Sequence, residues 1–250
     1  MSFYIQNLNQ FFLILKKIVL PYIMNPCLKR IILDISDIKK SPIEGAYYFP
    51  CEDNIMKGTA LMIGPENTPY EYGNYVFSFE FTPLFPYEPP ILRYETNDGN
   101  TRFNPNFYRS GKVCLSILNT WPGEKWSACQ SIRSILITLQ MTMNEHPLLN
   151  EPGVQWDAHF NMIKKYDKII QYRNIEVSII DYLRKKRMVS DDIYEIMMQH
   201  FQQNKDKIME NVERLAQISS SSAVINISIY SQQCVLNYEK LKEELDVICK

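Results

Sequence analysis

The chain has 250 residues, 46% hydrophobic and 22% charged, a balance that excludes a disordered polymer and is long enough for a sizeable core. Its net charge of −1 lacks the basic excess of a nucleic-acid binder. Six cysteines without a CxxC pair and three histidines (His146, His159, His200) away from zinc-ligand spacing argue against a disulfide framework or a metal centre, and no cofactor is called for. Scattered free thiols suit a reducing compartment, cytoplasmic or nuclear.

Residues 1–25 form an apolar N-terminal segment. Phe11 to Met24 is strongly apolar, but Lys16 and Lys17 sit in its middle and Pro21 interrupts it. The run is shorter than the ~20 residues of a membrane span. Residues 1–10 carry no Lys or Arg, so a secretory signal is not expected. The pattern predicts an amphipathic helix packed on the protein's own body, with a membrane-surface or partner helix as the alternative.

Pro26 to Lys40 reads as a helix, with Leu28, Ile31, Ile32, Ile35 and Ile38 at helical spacing and Pro42 as its stop. Four strand-like runs follow: Ala46–Phe49, Gly58–Ile63, Tyr75–Phe81 and Ile91–Glu95. In the third, Tyr75, Phe77, Phe79 and Phe81 alternate with Val76, Ser78 and Glu80, as in a strand with one face on a core. Short spacings with turn signals at Gly64-Pro65 and Thr68-Pro69-Tyr70 predict an antiparallel meander. Residues 96–126 lack periodicity. A helix then carries Ile132, Ile135, Leu136, Leu139 and Met143 on one face, with Ser127-x-x-Gln130 as its capping box and Ser131 as a competing cap.

Beyond residue 153 the pattern is mostly helical. One helix is expected around Trp156, Phe160, Ile163 and Tyr166, and a second around Ile175, Ile179, Tyr182 and Leu183. A third follows Ser190-Asp191-Asp192, and a last one carries Leu241, Leu245 and Ile248. Ser219–Ser222 reads as a linker, and Ile225, Ile227 and Ile229 alternate ambiguously, as in a short strand.

The aperiodic stretch holds the chemistry. Asn104-Pro105-Asn106 precedes Cys114-Leu115-Ser116-Ile117-Leu118, with Gly111 between them. A thiol is the nucleophile best suited to carry an acyl group as a thioester, because part of it ionises near neutral pH. A fixed amide N–H can donate to the oxygen that gains charge when that acyl group is attacked. The pairing points to acyl transfer. The other five cysteines read as small buried hydrophobes, and His146, His159 and His200 as cap, surface and core positions.

Several motifs in order extend this reading. Leu28-Lys29-Arg30-Ile31, Ile63-Gly64-Pro65 with Thr68-Pro69-Tyr70, Phe85-Pro86-Tyr87-Glu88-Pro89-Pro90, Asn106 with Cys114, Trp126 and Glu151-Pro152 together resemble the catalytic core of ubiquitin-conjugating enzymes over residues 26–153. The resemblance implies an α+β fold, a four-stranded antiparallel meander with flanking helices, here with a helical C-terminal extension over residues 154–250. The usual His-Pro-Asn reads Asn104-Pro105-Asn106, and extra residues lie within Thr120–Lys125. The run Arg102-Phe103-Asn104-Pro105-Asn106-Phe107-Tyr108, followed by Gly111-Lys112-Val113-Cys114 and Asn150-Glu151-Pro152-Gly153, is similar to the large Z-type members and to the conjugating domains of hybrid enzyme-ligases, so the resemblance implies that Asn104 is a subclass trait.

The resemblance also implies roles. Cys114 would accept ubiquitin or a ubiquitin-like protein from an activating enzyme and pass it to a substrate lysine, with or through a RING- or HECT-type ligase. Asn106 would donate to the oxyanion or shape the loop, Glu151 would orient the lysine, and Ser116 would line the site. Lys29, Arg30, Pro86, Tyr87 and Ala128 fall on the partner-binding positions; Ser127-Ala128-Cys129 stands where the family usually has Ser-Pro-Ala, and Glu88 where it often has a base. The scheme requires a Cys114 sulfur that a visiting polypeptide terminus can reach. A cysteine protease using Cys114, Asn106 and His146 or His159, and a non-catalytic variant that binds ubiquitin or a ligase, are the rivals.

Overall fold

A computed structural model describes residues 25–218 and 223–249. The expectations for residues 1–24 and for the Ser219–Ser222 linker fall outside them. The fold is α+β. Its elements are α1 (Pro26–Lys40), β1 (Ala46–Pro50), β2 (Lys57–Ile63), β3 (Asn74–Glu80), β4 (Ile91–Tyr94), α2 (Ile132–Thr142), α3 (Trp156–Arg173), α4 (Asp191–Ile218), β5 (Ala223–Ile227), β6 (Gln232–Leu236) and α5 (Tyr238–Ile248). Two compact units divide these residues. The first comprises the described residues up to Met62, Val76–Glu95 and Lys112–Met141; the second comprises Ile63–Tyr75, Thr96–Gly111 and the described residues from Thr142 onward. Residues 142–153 thus cluster with the extension.

In the first unit, α1 begins where its chemistry dictates. Pro26 takes the first helical turn, where its missing N–H costs nothing, and Asn25 accepts from the Cys27 N–H at 2.9 Å. Ile31, Ile35 and Ile38 are buried, and the Ser41 N–H closes the helix on Asp37 O at 3.0 Å. The sheet has the order β1-β2-β3-β4. β1 and β2 pair antiparallel with Ala46 opposite Met62, as do β3 and β4 with Phe77 opposite Tyr94. The predicted alternation holds: Tyr75, Phe77, Phe79 and Phe81 are buried, Ser78 is half-buried and Glu80 is exposed, although Val76 is covered too. Tyr48 meets Phe79 edge-on at 5.4 Å, and Phe81 meets Phe85 at 4.8 Å, geometries that favour aromatic pairs.

The cap of α2 is Ser131, not Ser127. Ser131 and Ser134 exchange backbone-to-hydroxyl bonds at 2.7 and 3.3 Å, a reciprocal box with serine in the usual glutamate place. Asp34 on α1 adds a carboxylate that accepts from the Ile132 N–H at 3.0 Å.

In the second unit, the two helices expected over residues 156–183 are one continuous helical run. α3 winds open into a π-helical stretch, Asn174–Ile180, and ends in the turn Asp181–Leu183. Side chains stabilise the wide turns. Asn174 Oδ1 accepts from Tyr75 Oη at 2.7 Å, its Nδ2 donates to Glu71 O at 2.8 Å, and Asn74 Nδ2 donates to Ser178 O at 3.0 Å. Gly73 lies against this cluster so closely that a Cβ would stand 1.8 Å from Asn174 Oδ1 and 2.4 Å from Ser178 Oγ. The ambiguous run over residues 225–229 is a strand only to Ile227. β5 pairs antiparallel with β6, a partner strand that the sequence pattern did not reveal, and Ile229–Ser231 is a tight 3-10 turn between them.

Candidate active site

Cys114 lies in the first unit. The chain reaches it from a bridge between Arg93 and Lys112, and leaves through a 3-10 turn over Ser116–Leu118. One hydroxyl organises this segment. Thr120 Oγ1 accepts from the Leu115 N–H at 3.0 Å and lies 3.1 Å from Val113 O and 3.2 Å from Leu115 O, so its single proton serves one carbonyl at a time. Leu118 N–H donates to Leu115 O, Asn119 N–H to Ser116 O, and Trp126 N–H to Asn119 Oδ1, at 3.0, 2.8 and 3.0 Å. Asn119 takes the left-handed backbone (φ 59°) that such a reversal needs.

The cysteine is only 1% exposed. The sulfur therefore does not stand open, as the family resemblance requires, and a visiting terminus reaches it only if its cover withdraws. Within this unit, Gly123 of the extra loop lies over Ser116: a Cβ at Gly123 would fall 3.1 Å from Ser116 Cβ. Pro122 to Lys125 are exposed and Ser116 is half-buried.

Asn106 and Glu151 lie in the second unit. Asn106 is buried, and its N–H donates to Asn104 Oδ1 at 3.0 Å. Asn104 is the hub that sequence reading missed. Fully buried, it donates through Nδ2 to Tyr70 Oη (2.8 Å) and Thr142 O (2.9 Å), and its Oδ1 also accepts from Asn150 Nδ2 (3.4 Å). These four contacts use the whole capacity of a primary amide, whereas an imidazole has two ring nitrogens. That is a physical reason for asparagine in a position where histidine is usual. Arg102 completes the loop, donating to Asn104 O and Pro105 O at 3.1 and 2.6 Å while its guanidinium stacks 3.3 Å from the Tyr108 ring centre. Glu151 is half-buried, and its carboxylate accepts from Tyr230 Oη at 2.5 Å.

The expected partner-binding positions all lie in the first unit. Lys29 and Ala128 are exposed, Pro86 is half-buried, and Tyr87 is 76% exposed. Arg30 is occupied within the chain. It pairs with Asp34 at 2.8 Å, donates to Ala128 O at 2.6 Å and also donates to Gln130 O. Trp126 Nε1 donates to Pro86 O at 2.7 Å, so α1, the 82–90 loop and the 126–131 loop are bonded to one another.

Of the remaining cysteines, Cys27 and Cys234 are buried as expected, Cys51 and Cys249 are half-buried, and Cys129 is exposed, correcting its reading as a buried hydrophobe. Its place in an exposed loop leaves it no core to join. His146 is more than a cap: Nδ1 lies 2.8 Å from Asp167 Oδ2 and its ring stacks on Trp156 at 4.6 Å. Burial pushes the Asp167 carboxyl up to about 6, against the pull of His146. His159 is half-buried, at a kink in α3, and burial lowers His200.

A four-stranded antiparallel sheet with flanking helices, carrying a cysteine after a Pro-bearing asparagine turn, defines a conjugating-enzyme core. The family model described as ubiquitin-conjugating enzyme matches residues 30–174, and the chain belongs to that family. It is similar to ubiquitin-conjugating enzyme E2 Z of Xenopus tropicalis, with 42% identity over 73% of this chain and 58% of the relative. For the human E2 Z the figures are 43%, 70% and 50%. The human dual E2 ubiquitin-conjugating enzyme/E3 ubiquitin-protein ligase BIRC6 is 32% identical over 77% of this chain and 4% of its own length. The chain thus spans about half the length of the E2 Z relatives. Among the described residues, no helix is long and apolar enough to cross a membrane.

Proposed function

We propose that this protein carries ubiquitin or a ubiquitin-like modifier as a thioester on Cys114. The Cys114 thiolate attacks the thioester carbonyl offered by an activating enzyme; the new C–S bond forms as the old one breaks, and the activating enzyme's thiolate leaves. A substrate lysine then attacks the new thioester, directly or after a further transfer to a ligase cysteine. ATP is spent upstream, and thiol exchange is close to balanced, so the protein supplies position and charge stabilisation. The Asn106 amide donates to the developing oxyanion, Glu151 orients the amine, and Ser116 lines the approach. Lys29, Pro86, Tyr87 and Ala128 form the docking surface for activating enzyme and RING- or HECT-type ligase, with Tyr87 as its exposed aromatic anchor. Arg30 serves that surface by fixing the loop that carries Ala128. Six free cysteines accord with a reducing compartment, cytoplasmic or nuclear.

The observation that carries this reading is a family match running through Asn106, Cys114 and Glu151 alike. Incubation with activating enzyme, ATP and modifier, followed by a non-reducing gel, tests it. A thiol-sensitive adduct is expected, absent in Cys114→Ala and replaced by a thiol-resistant ester in Cys114→Ser. Asn106→Ala charges but discharges to lysine roughly 10²–10³ times more slowly, the usual cost of an oxyanion donor. Cleavage of a ubiquitin fusion without an activating enzyme would establish a protease, and no adduct with any modifier would establish a binding protein.

A further inference from the structure

The β5–β6 turn of the extension carries a residue that nothing in the reaction scheme yet uses. Tyr230 stands at φ 61°, and Ser231 after it at φ 45°. Left-handed backbone is uncommon for a bulky residue, and it persists where surrounding contacts over-determine it. Two arginines do so here. Arg109 Nη2 donates to Tyr230 O at 2.8 Å, and the Arg102 guanidinium lies 4.9 Å from the Tyr230 ring centre while also stacking on Tyr108. The Tyr166 ring meets Tyr230 at 6.3 Å, and the Tyr166 hydroxyl donates to Arg102 O at 2.7 Å. A second tie fixes the hairpin: the Arg102 N–H donates to Gln232 Oε1 at 2.9 Å. All of this aims one hydroxyl at Glu151 Oε2, 2.5 Å away. Burial, with the carboxylate adding to it, pushes the Tyr230 hydroxyl well above its ordinary range, so it stays a donor.

We propose that Tyr230 is a positioning residue for aminolysis: its hydroxyl holds the Glu151 carboxylate in a single rotamer, from which the second oxygen receives the substrate amine. The extension thereby supplies the residue that holds Glu151. This rests on the role given to Glu151 above. In that step the lysine nitrogen forms a bond to the thioester carbonyl carbon, the C–S bond breaks with its electron pair going to Cys114, and the nitrogen's proton passes to Glu151 or through it to water. A thiol acceptor brings no ammonium to orient, so thiol exchange makes no such demand. The two acceptors therefore separate positioning from general damage.

The test is single-turnover discharge of full-length, Cys114-charged protein to free lysine and, separately, to N-acetylcysteine. Tyr230→Phe keeps the ring and loses only the hydroxyl. It is expected to charge, and to discharge to lysine roughly tenfold more slowly at saturating lysine, the scale of one lost charge-assisted hydrogen bond, with the loss in maximal rate rather than in half-saturation. Its discharge to the thiol stays near the wild-type rate. Glu151→Gln shows the same selective loss, and the double variant loses little more, because both changes disable one device. A Tyr230→Phe protein that matches wild type on lysine while Glu151→Gln is slow overturns the inference alone. So does equal slowing on lysine and thiol. Glu151→Gln at wild-type rates removes the role of Glu151, and with it this inference, while conjugation stands. Absence of any Cys114 adduct removes the parent reading itself.

Discussion

The residues around Cys114 and those around Asn106 are held in different ways. The bonds of Leu115, Ser116 and Thr120 are short-range and close within a few residues, and the exposed stretch beyond is tied back by Asn119 to Trp126. From Arg102 to Tyr108 the bonds reach across sequence. Asn104 alone joins Tyr70, Thr142 and Asn150 to Asn106, all buried or half-buried. Val113, Cys114, Leu115 and Leu118 are buried and held by packing, whereas the largely exposed end of the segment, Asn119 to Lys125, has little burial to lose on opening. A buried polar network opens only by orphaning several groups at once. Under the proposed function, the thiol that accepts a visiting chain lies next to the stretch that opens most cheaply, and the amide that faces the oxyanion lies in a network that does not open cheaply.

Asn104→Ala is the largest expected break of this contrast. It takes a donor from Tyr70 Oη and from Thr142 O, takes the Asn104 acceptor from the Asn106 N–H, and leaves a polar-lined hole away from water, at a cost of about 3–5 kcal/mol. Urea unfolding followed by fluorescence would read it, and a loss below about 1 kcal/mol would show that the network relaxes onto other partners. Gly73→Ala comes next. Its methyl would have to displace Asn174 Oδ1 and Ser178 Oγ from buried hydrogen bonds, for about 2–3 kcal/mol, with a matching fall in midpoint at unchanged urea slope. A Gly73→Ala protein as stable as wild type would mean that the π-helical stretch can reseat itself.

The sequence made the first unit legible because its determinants are local and periodic. Aromatic alternation in β3, the isoleucine spacing of α1 and the Pro stops are each visible within a few residues. Cys114, Asn106 and Glu151 stand out in the sequence as a motif set, since each is a residue type suited to the chemistry proposed for it. Asn104 could be seen only as a departure from His, because three of its four partners lie 34 to 46 positions away. Tyr230 had no signal at all: one tyrosine after an ambiguous apolar run, aimed by two arginines more than a hundred residues earlier. The second strand of its hairpin, Gln232–Leu236, carries a Gln-Gln-Cys start that no strand template favours, and it pairs because β5 lies opposite. The single helical run over residues 156–183 was read as two because π-helical turns shift the apolar period away from 3.6.

The smallest expected effect in stability bears most directly on access to the thiol. Thr120→Val keeps shape and volume but removes the oxygen that accepts from the Leu115 N–H and the proton that serves Val113 O or Leu115 O. Global stability should fall by only about 1 kcal/mol, since Thr120 itself is exposed and water can replace part of the bonding. Local opening should respond more than the global transition. Alkylation of Cys114 by iodoacetamide requires the sulfur to be uncovered, and its rate follows the open population when closing outpaces reaction. A loss of about 1 kcal/mol from the closed state raises that population about fivefold, so native-state alkylation should accelerate by a similar factor. A peptide map would assign the labelled cysteine, because Cys129 is exposed and reacts in any case. Equal Cys114 labelling in wild type and Thr120→Val would show that the cover over the sulfur is not governed by this loop. Under the proposed function, the modifier's tail would then have to gain entry by moving some other part of the protein.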